Sequence, residues 1–307
     1  MNHQRPALID TQLLDELHQL YAIDPEHLPG EVALIEAFRS PYPDIPQVAC
    51  FDTSFHHTLP SIARILPIPR RFGEAGVQRY GFHGLSYAFL LEKLVCVAGP
   101  AVARGRLILM HLGSGSSITA VRDGQSIDTS MGFTPAGGLP MSSRSGDLDP
   151  GVAWYMLQKE KMTPEQFDHT INHESGLLGI SGTTADMQEL LQKESSDPRA
   201  AAAVAYYCYQ VKKYIGAYTA VMGGLDALVF TGGIGENAAP IRSRICAGLE
   251  YLGIQIDEKK NMLHHTCLSY EDQGIPIYMI HTDEELMIAR YTASLLKDMK
   301  PAMQDAH

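Results

Sequence analysis

The stretch His111-Leu-Gly-Ser-Gly-Ser-Ser117 leaves an apolar strand, Leu107 to His111, through Gly113 and Gly115, and Ser116 to Arg122 alternates back out to Asp123-Gly124. Asp-Gly is a favoured two-residue hairpin turn. Backbone N–H groups bared at the two glycines, with the hydroxyls of Ser114, Ser116 and Ser117, would face an anion without side-chain bulk in the way. An ordinary glycine-rich hairpin is the plain alternative. A second bend, Thr231-Gly-Gly-Ile-Gly-Glu-Asn237, joins the strand Ala227 to Phe230 to a helix from Pro240, and the amides at such a junction favour phosphate or ribose oxygens. Arg144 lies in a loop, Met131 to Pro150, with too much Gly and Pro for regular structure; loops of that length in compact domains usually carry function. Asp52 and Glu284 follow short apolar strands, and His83 stands between Gly81 and Gly84. An arginine, carboxylates at two strand ends and two glycine bends are the parts of a phosphoryl-transfer site.

The elements that must position these groups can be read coarsely. Residues 1 to 46 are mostly polar helix, with Leu13, Leu14, Leu17 and Leu20 at helical spacing, and end in the Pro-rich connection Pro41 to Pro46. Gln47 to Phe51 reads as a strand opening onto the polar cluster Asp52 to His57. Leu90, Leu91 and Leu94 mark a helix after Ser86, and from Val152 the chain is mainly helical, including Ala200 to Val221 with Val204, Val211, Ile215 and Tyr218 at helical intervals. Ile275 to Ile280 forms a last strand before a final helix through Leu286, Ile288 and Leu295.

With 307 residues and 45% hydrophobic content the chain can bury a sizeable core and divide into two domains. No apolar run reads as a membrane span, no secretory segment stands at the start, and the cytoplasm is the default location. Cys50, Cys96, Cys208, Cys246 and Cys267 read as reduced core thiols. The net charge of -11 argues against nucleic acid as a partner. Gly233-Ile-Gly-Glu-Asn-Ala238 also fits a dinucleotide fingerprint with Asp257 at the ribose distance, but Glu236 would put a carboxylate where pyrophosphate must sit. No Gly-Lys-Ser/Thr follows a glycine loop, which excludes a P-loop nucleotide site.

Eight segments in order, FDTSFHHTLP (51–60), RYGFHGLS (79–86), HLGSGSSI (111–118), DTSMGFTP (128–135), SRSGDLDP (143–150), SGLLGISG (175–182), FTGGIGEN (230–237) and TDEELMIAR (282–290), resemble the motifs of the acetate kinase family in that family's order. The resemblance runs from about residue 10 to residue 298. It implies an α/β fold of the actin-like ATPase (ribonuclease H-like) class, related to sugar kinases, actin and Hsp70, with one complete C-terminal domain, residues 58–287, and a remnant of the N-terminal domain, residues 1–57 with 288–307. It implies phosphoryl transfer between ATP and acetate or propionate, with Mg2+ as cofactor, ATP and ADP as nucleotides, and a homodimer.

On the same resemblance, Arg144 matches the arginine that stabilises the transferring group, a role that suits a guanidinium fork, against the alternative of a surface pair with Asp147 or Asp149. His83 matches a second stabiliser, able to donate a hydrogen bond to a developing anion. Asp52 matches an active-site aspartate, whose electrostatic and magnesium-shell role weighs more than proton transfer because acetate is already ionised near neutral pH. Glu284 matches a magnesium ligand. His111, Leu112, Gly113, Ser114 and Gly115, then Gly233, Ile234, Gly235, Glu236 and Asn237, and also Asp186, Met187 and Gln188, match nucleotide-binding segments.

The departures are informative. Family members begin with a strand and an N-x-G-S-S-S-x-K hairpin that supplies a first phosphate loop, followed by an arginine for the acyl carboxylate, and residues 1 to 50 align with a later region. Ser114 stands for asparagine, Gln188 for arginine, and Ala22-Ile23-Asp24-Pro25 for Leu-His-Asn-Pro. Weak nucleotide binding and poor acetate positioning are therefore expected, since positioning supplies much of the rate in this chemistry. Two alternatives stand beside an active kinase: a non-catalytic nucleotide-binding or interaction protein of the same fold, and a subunit completed by a separate N-terminal polypeptide.

Overall fold

A computed structural model describes residues 4–21, 28–271 and 273–304, with side chains described to residue 298. The chain opens with β1 (Ala7–Leu8) and two helices, α1 (Thr11–Gln19) and α2 (Leu28–Arg39), before β2 (Val48–Ala49) returns antiparallel to β1. Asp10 caps α1 by accepting from the Leu13 N–H at 2.8 Å. Leu13, Leu14 and Leu17 then bury one face of α1 against Leu28 and Val32 of α2 and against Phe51. The strand expected over Gln47 to Phe51 shrinks to two paired residues because its partner is itself only two residues long. The segment Ala22-Ile-Asp-Pro25 lies outside the described residues.

A 3-10 turn (Ser54–Thr58) and two short helices, α3 (Ser61–Arg64) and α4 (Arg70–Glu74), lead to α5 (Gly84–Ala103). Then come β3 (Arg106–Leu112), β4 (Ser116–Arg122) and β5 (Gln125–Thr129). Asp123 and Gly124 join β4 to β5 with φ of 54° and 74°, the left-handed pair that a tight hairpin turn requires. After the irregular loop follow α6 (Pro150–Gln158), α7 (Pro164–His173), α8 (Gly176–Ser181), α9 (Met187–Lys193) and the long α10 (Pro198–Met222). The chain closes with β6 (Ala227–Thr231), α11 (Gly232–Asn237), α12 (Ala239–Cys246), α13 (Glu258–Met262), β7 (Ile277–Met279) and α14 (Glu284–Gln304).

The main sheet has the order β5-β4-β3-β6-β7, antiparallel through β5, β4 and β3 and parallel through β3, β6 and β7. Both faces are covered. Leu107, Leu109, Val121, Ala227 and Val229 meet Tyr87, Leu90 and Leu94 of α5 on one side. Ile108, Met110, Ile118, Leu228 and Phe230 meet Val204, Tyr207, Val211 and Ile215 of α10 on the other. Successive strand residues point to opposite layers, so burial on both faces explains why these strands read as continuous apolar runs. Each fully buried side chain of this size contributes roughly 1.5–3 kcal/mol.

Two expectations need correction. By length and composition α5 passes as a membrane span, although no such run was expected; Gly99-Pro100 breaks the helix, with φ 84° and ψ 163° at Gly99, and Tyr87, Leu90 and Leu94 are fully buried against the sheet. Of the five cysteines, all free, only Cys208 and Cys246 are buried, whereas Cys96 and Cys267 are exposed.

Candidate active site

His83 is the N-cap of α5 and adopts a left-handed backbone, φ 58° and ψ 30°, a conformation costing a non-glycine residue roughly 1–2 kcal/mol. Asp52 holds it there. The Asp52 carboxylate accepts from the His83 N–H at 2.6 Å and the Leu85 N–H at 3.4 Å, and its carbonyl accepts from the Gly84 N–H at 2.8 Å. The approach is so close that a Cβ on Gly84 would lie 2.2 Å from the Asp52 carbonyl oxygen, which is why glycine follows the histidine. Glu284 sits at the same helix end. Burial raises its pKa, and the Asp52 charge raises it further, while the Ser86 backbone offsets part of the rise. Two carboxylates thus face one another at the positive end of a helix dipole.

The His83 ring stacks on His111, with centroids 4.1 Å apart and planes 19° apart. Burial, then the nearby Arg144 charge, then His56, lower the His83 pKa to about 3. His111 falls to about 3 through burial and the His83 charge. Both rings are therefore neutral at pH 7. His83 Nδ1 meets Ser117 Oγ at 2.8 Å, and His111 Nδ1 meets Ser86 Oγ at 2.9 Å.

Arg144 approaches from the irregular loop, its Nη1 donating to the Pro135 carbonyl at 3.4 Å. Asp147 directs its carboxylate to the Gly138 N–H and the Tyr214 hydroxyl, and Asp149 caps α6. A Cβ on Gly115 would lie 3.2 Å from His83 Nε2 and 3.8 Å from Arg144 Nη1. The glycine therefore leaves both groups open to one point. On the other flank of the hairpin, a Cβ on Gly113 would lie 3.7 Å from the Gly233 nitrogen, so the two glycine bends adjoin.

Asp52, His83, Gly115 and Arg144 line one cavity of about 750 Å³, together with Phe82, Phe133, Pro135 and the apolar residues Leu17, Leu28, Ile35 and Val48. The second bend adjoins the hairpin at Gly113, two residues from the cavity-lining Gly115. Asp186, Met187 and Gln188 open α9 elsewhere: Asp186 caps the helix through the Glu189 N–H, Met187 is buried in the core and Gln188 is exposed.

The hairpin differs in detail from the anion cradle expected of it. The Gly113 N–H turns inward to the Gly115 carbonyl, Ser116 Oγ binds Tyr207, and Ser117 Oγ binds Tyr87 and His83. Both hydroxyls are fully buried and must find protein partners; only Ser114 is exposed. Leu112 likewise contributes its side chain to the core.

The second bend is itself the helix α11, and its N-terminus is taken by the chain's own Glu236. Glu236 accepts from the Gly232 N–H, the Thr231 hydroxyl and the Thr282 N–H, and pairs with His281 at 2.6 Å. Burial pushes this carboxyl up, and these four contacts more than reverse it, leaving its pKa below the ordinary value. Gly233 is exposed with open space around it, Ile234 packs on the core, Gly235 is buried beside Leu112 and Phe230, and Asn237 donates to the Gly233 carbonyl. The residue with no freedom is Gly232, at φ 77°, where a Cβ would lie 2.7 Å from the Leu112 carbonyl oxygen.

Two supporting residues stand outside the candidate site residues, although Arg79 opens the RYGFHGLS segment. Arg79 donates to the carbonyls of Ala63, Thr129, Ser130 and Met131, tying down the start of the Arg144 loop. Arg242, fully buried, donates to Gly235, Glu236 and Asn261 and so holds the end of α11. Sitting between Ile241 and Ile245, it reads in the sequence as an ordinary surface charge on a helix.

The acetokinase family matches residues 1–290. The chain is 45% identical over 297 residues to an acetate kinase of Nitrobacter hamburgensis, covering 97% of this chain and 73% of that protein. It is 43% identical over 286 residues to a propionate kinase of Citrobacter rodentium, covering 92% and 71%. The crystal structure of Porphyromonas gingivalis acetate kinase superposes with a TM-score of 0.89 at 35% identity, covering 96% of this chain and 75% of that one. The sheet order, three antiparallel strands followed by two parallel ones, is accordingly that of the actin-like ATPase (ribonuclease H-like) fold, and the chain belongs to the acetokinase family.

Proposed function

We propose that this chain transfers the γ-phosphoryl group of ATP to the carboxylate of acetate or propionate, forming an acyl phosphate and ADP. The observation that carries the reading is the convergence of Arg144 Nη1 and His83 Nε2 on the open side of Gly115, in a cavity that also reaches Asp52. A carboxylate oxygen attacks phosphorus in line as the bond to the β-phosphate oxygen breaks, and the electron pair leaves on ADP. No proton need be removed from the acceptor. Arg144 supplies a planar fork to equatorial oxygens, and neutral His83 supplies an N–H donor, both fixed before the reaction begins. Phe82, Phe133 and Pro135 give the acyl chain an apolar wall.

Magnesium fits Asp52 and Glu284. Among the described residues no group of three or more ionisable side chains makes an all-protein metal cage, so the ion would be held by these carboxylates with phosphate oxygens and water, as is usual for it. Held there, the ion would supply positive charge to offset the negative charge that develops during transfer. The nucleotide is assigned to the adjoining bends, His111 to Gly115 and Gly233 to Asn237, with Asp186 to Gln188 at the periphery. Residues 58–287 are read as the nucleotide-binding domain and residues 1–57 with 288–307 as the second unit; the separate apolar cluster around α1 and α2 supports that division. A cytoplasmic homodimer completes the assignment.

The test is trapping of acyl phosphate as hydroxamate after incubation with Mg-ATP and acetate, propionate or butyrate. Turnover with acetate or propionate is the expected result. ADP binding by titration calorimetry with no acyl phosphate from any acid would replace this function with a binding role.

A further inference from the structure

Tyr87 and Ser117 lie beneath the active-site histidine, and both are fully buried. The Tyr87 hydroxyl contacts Ser117 Oγ, and Ser117 Oγ lies 2.8 Å from His83 Nδ1. Three polar atoms in a row can pass their protons in either direction, or Ser117 Oγ can accept from both neighbours, which would leave its own buried proton without an acceptor among the described residues. If His83 carried its proton on Nδ1, that proton would go to Ser117, the serine proton would go to Tyr87, and the phenol proton would need an acceptor elsewhere. Among the described residues, Ser117 Oγ is the one oxygen in hydrogen-bond contact with the Tyr87 hydroxyl, so no second acceptor stands there for the phenol proton. A buried phenol O–H without an acceptor would cost about 1–3 kcal/mol. The remaining direction satisfies every atom: Tyr87 donates to Ser117, and Ser117 donates to His83 Nδ1.

We infer that Tyr87 and Ser117 form a hydroxyl relay that fixes His83 in the tautomer carrying its proton on Nε2, aimed at the open side of Gly115. The hydrogen bond made by one ring nitrogen decides which nitrogen bears the proton. The consequence is chemical. The Nε2–H tautomer offers a donor to an anionic phosphoryl group, whereas the Nδ1–H tautomer would offer a lone pair and repel it. Stacking on His111 fixes the plane of the ring, and the relay fixes its protonation. Ser117 and Tyr87 are positioning residues, since neither lines the cavity that His83 faces. The inference rests on the proposed contact between His83 and the phosphoryl group.

Long-range nitrogen NMR of the parent protein, labelled with 15N-histidine, reads the tautomer without any assay. A pyrrole-like Nε2 and a pyridine-like Nδ1 for His83 are expected; the reverse assignment overturns the inference. Ser117→Ala should mix the tautomers and lower kcat about 10- to 100-fold, the range for removing a partner that orients a working histidine, while leaving the KM for ATP within about twofold. Parent kcat in that variant would overturn the relay. Tyr87→Phe removes one oxygen from a packed ring and keeps the test open if Ser117→Ala does not fold. It should move the tautomer ratio in the same direction, and a ratio equal to the parent's would contradict the inference. His83→Ala separates the two claims: parent activity there defeats the proposed contact, whereas the parent NMR spectrum alone decides the tautomer.

Discussion

On one side of the cavity, His83, Arg144 and the glycine hairpin are set by polar groups that lock one another, across β3, β4, α5 and the Arg79-anchored loop. On the other side, Leu17, Leu28 and Ile35 belong to two helices and a two-residue ribbon whose separate core holds six buried residues among the described ones. The first side has a sheet covered on both faces beneath it. The difference teaches where precision is needed. A transferring phosphoryl group demands fixed donors, since small misplacements cost large factors in rate, whereas an apolar wall has only to exclude water and limit size.

The sharpest way to break the polar side is Arg242→Met, which removes the guanidinium donor to the carbonyls of Gly235 and Glu236 and to the side chain of Asn261. A loss of about 3–5 kcal/mol in urea unfolding is expected, the usual cost of removing one member of a buried charged network; a loss under 1 kcal/mol would show that α11 holds itself.

Next comes acid sensitivity. His56, His83 and His111 have folded pKa values near 4, 3 and 3, and burial is the main cause in each. Below the ordinary value of 6.5, the unfolded chain takes up protons that the folded chain refuses. Stability should therefore be whole above about pH 7 and decline as pH falls towards 4, by up to about 1.4 kcal/mol per histidine at pH 5.5. Urea midpoints at pH 7.0, 6.0 and 5.5 would show it, and a flat profile would contradict neutral buried rings.

Gly232→Ala tests the junction between the sheet and α11, where the left-handed backbone and the close Leu112 carbonyl leave no space for a methyl group. A loss of about 2–3 kcal/mol is expected. Gly233→Ala, at an open position, should cost less than about 1 kcal/mol; equal losses would remove the distinction.

The smallest effect separates the two sides directly. Amides of α1 and α2 should exchange with deuterium faster than those of β3 and β6, because few buried contacts hold the first pair. Leu17→Ala should speed exchange in α1 and α2 and leave β3 unchanged. Uniform protection would mean the two walls fold as one unit.

The hairpin from β4 to β5 was legible because its signals are local: alternation along the strand and Asp123-Gly124 at the turn. The roles of Ser116 and Ser117 were not, although strand alternation offers a clue. Adjacent strand residues face opposite layers, so one serine meets Tyr207 of α10 and the other meets Tyr87 of α5. The bend after Phe230 was readable as a bend, but the return of Glu236 to its own helix start depends on His281 and Thr282, some 45 residues away. Asp52, His83 and Arg144 were legible as candidates through their motifs. Their meeting point was not, because it depends on the positions of three separate loops around Gly115.

The most direct test of that meeting point is the rate of acyl phosphate formation by the parent chain and by Arg144→Ala, trapped as hydroxamate with saturating Mg-ATP and acetate. Turnover by the parent and a fall of about 10²- to 10³-fold in the variant, the range for losing one preorganised donor to a developing anion, is the predicted result. Turnover by the variant equal to the parent's would contradict the account.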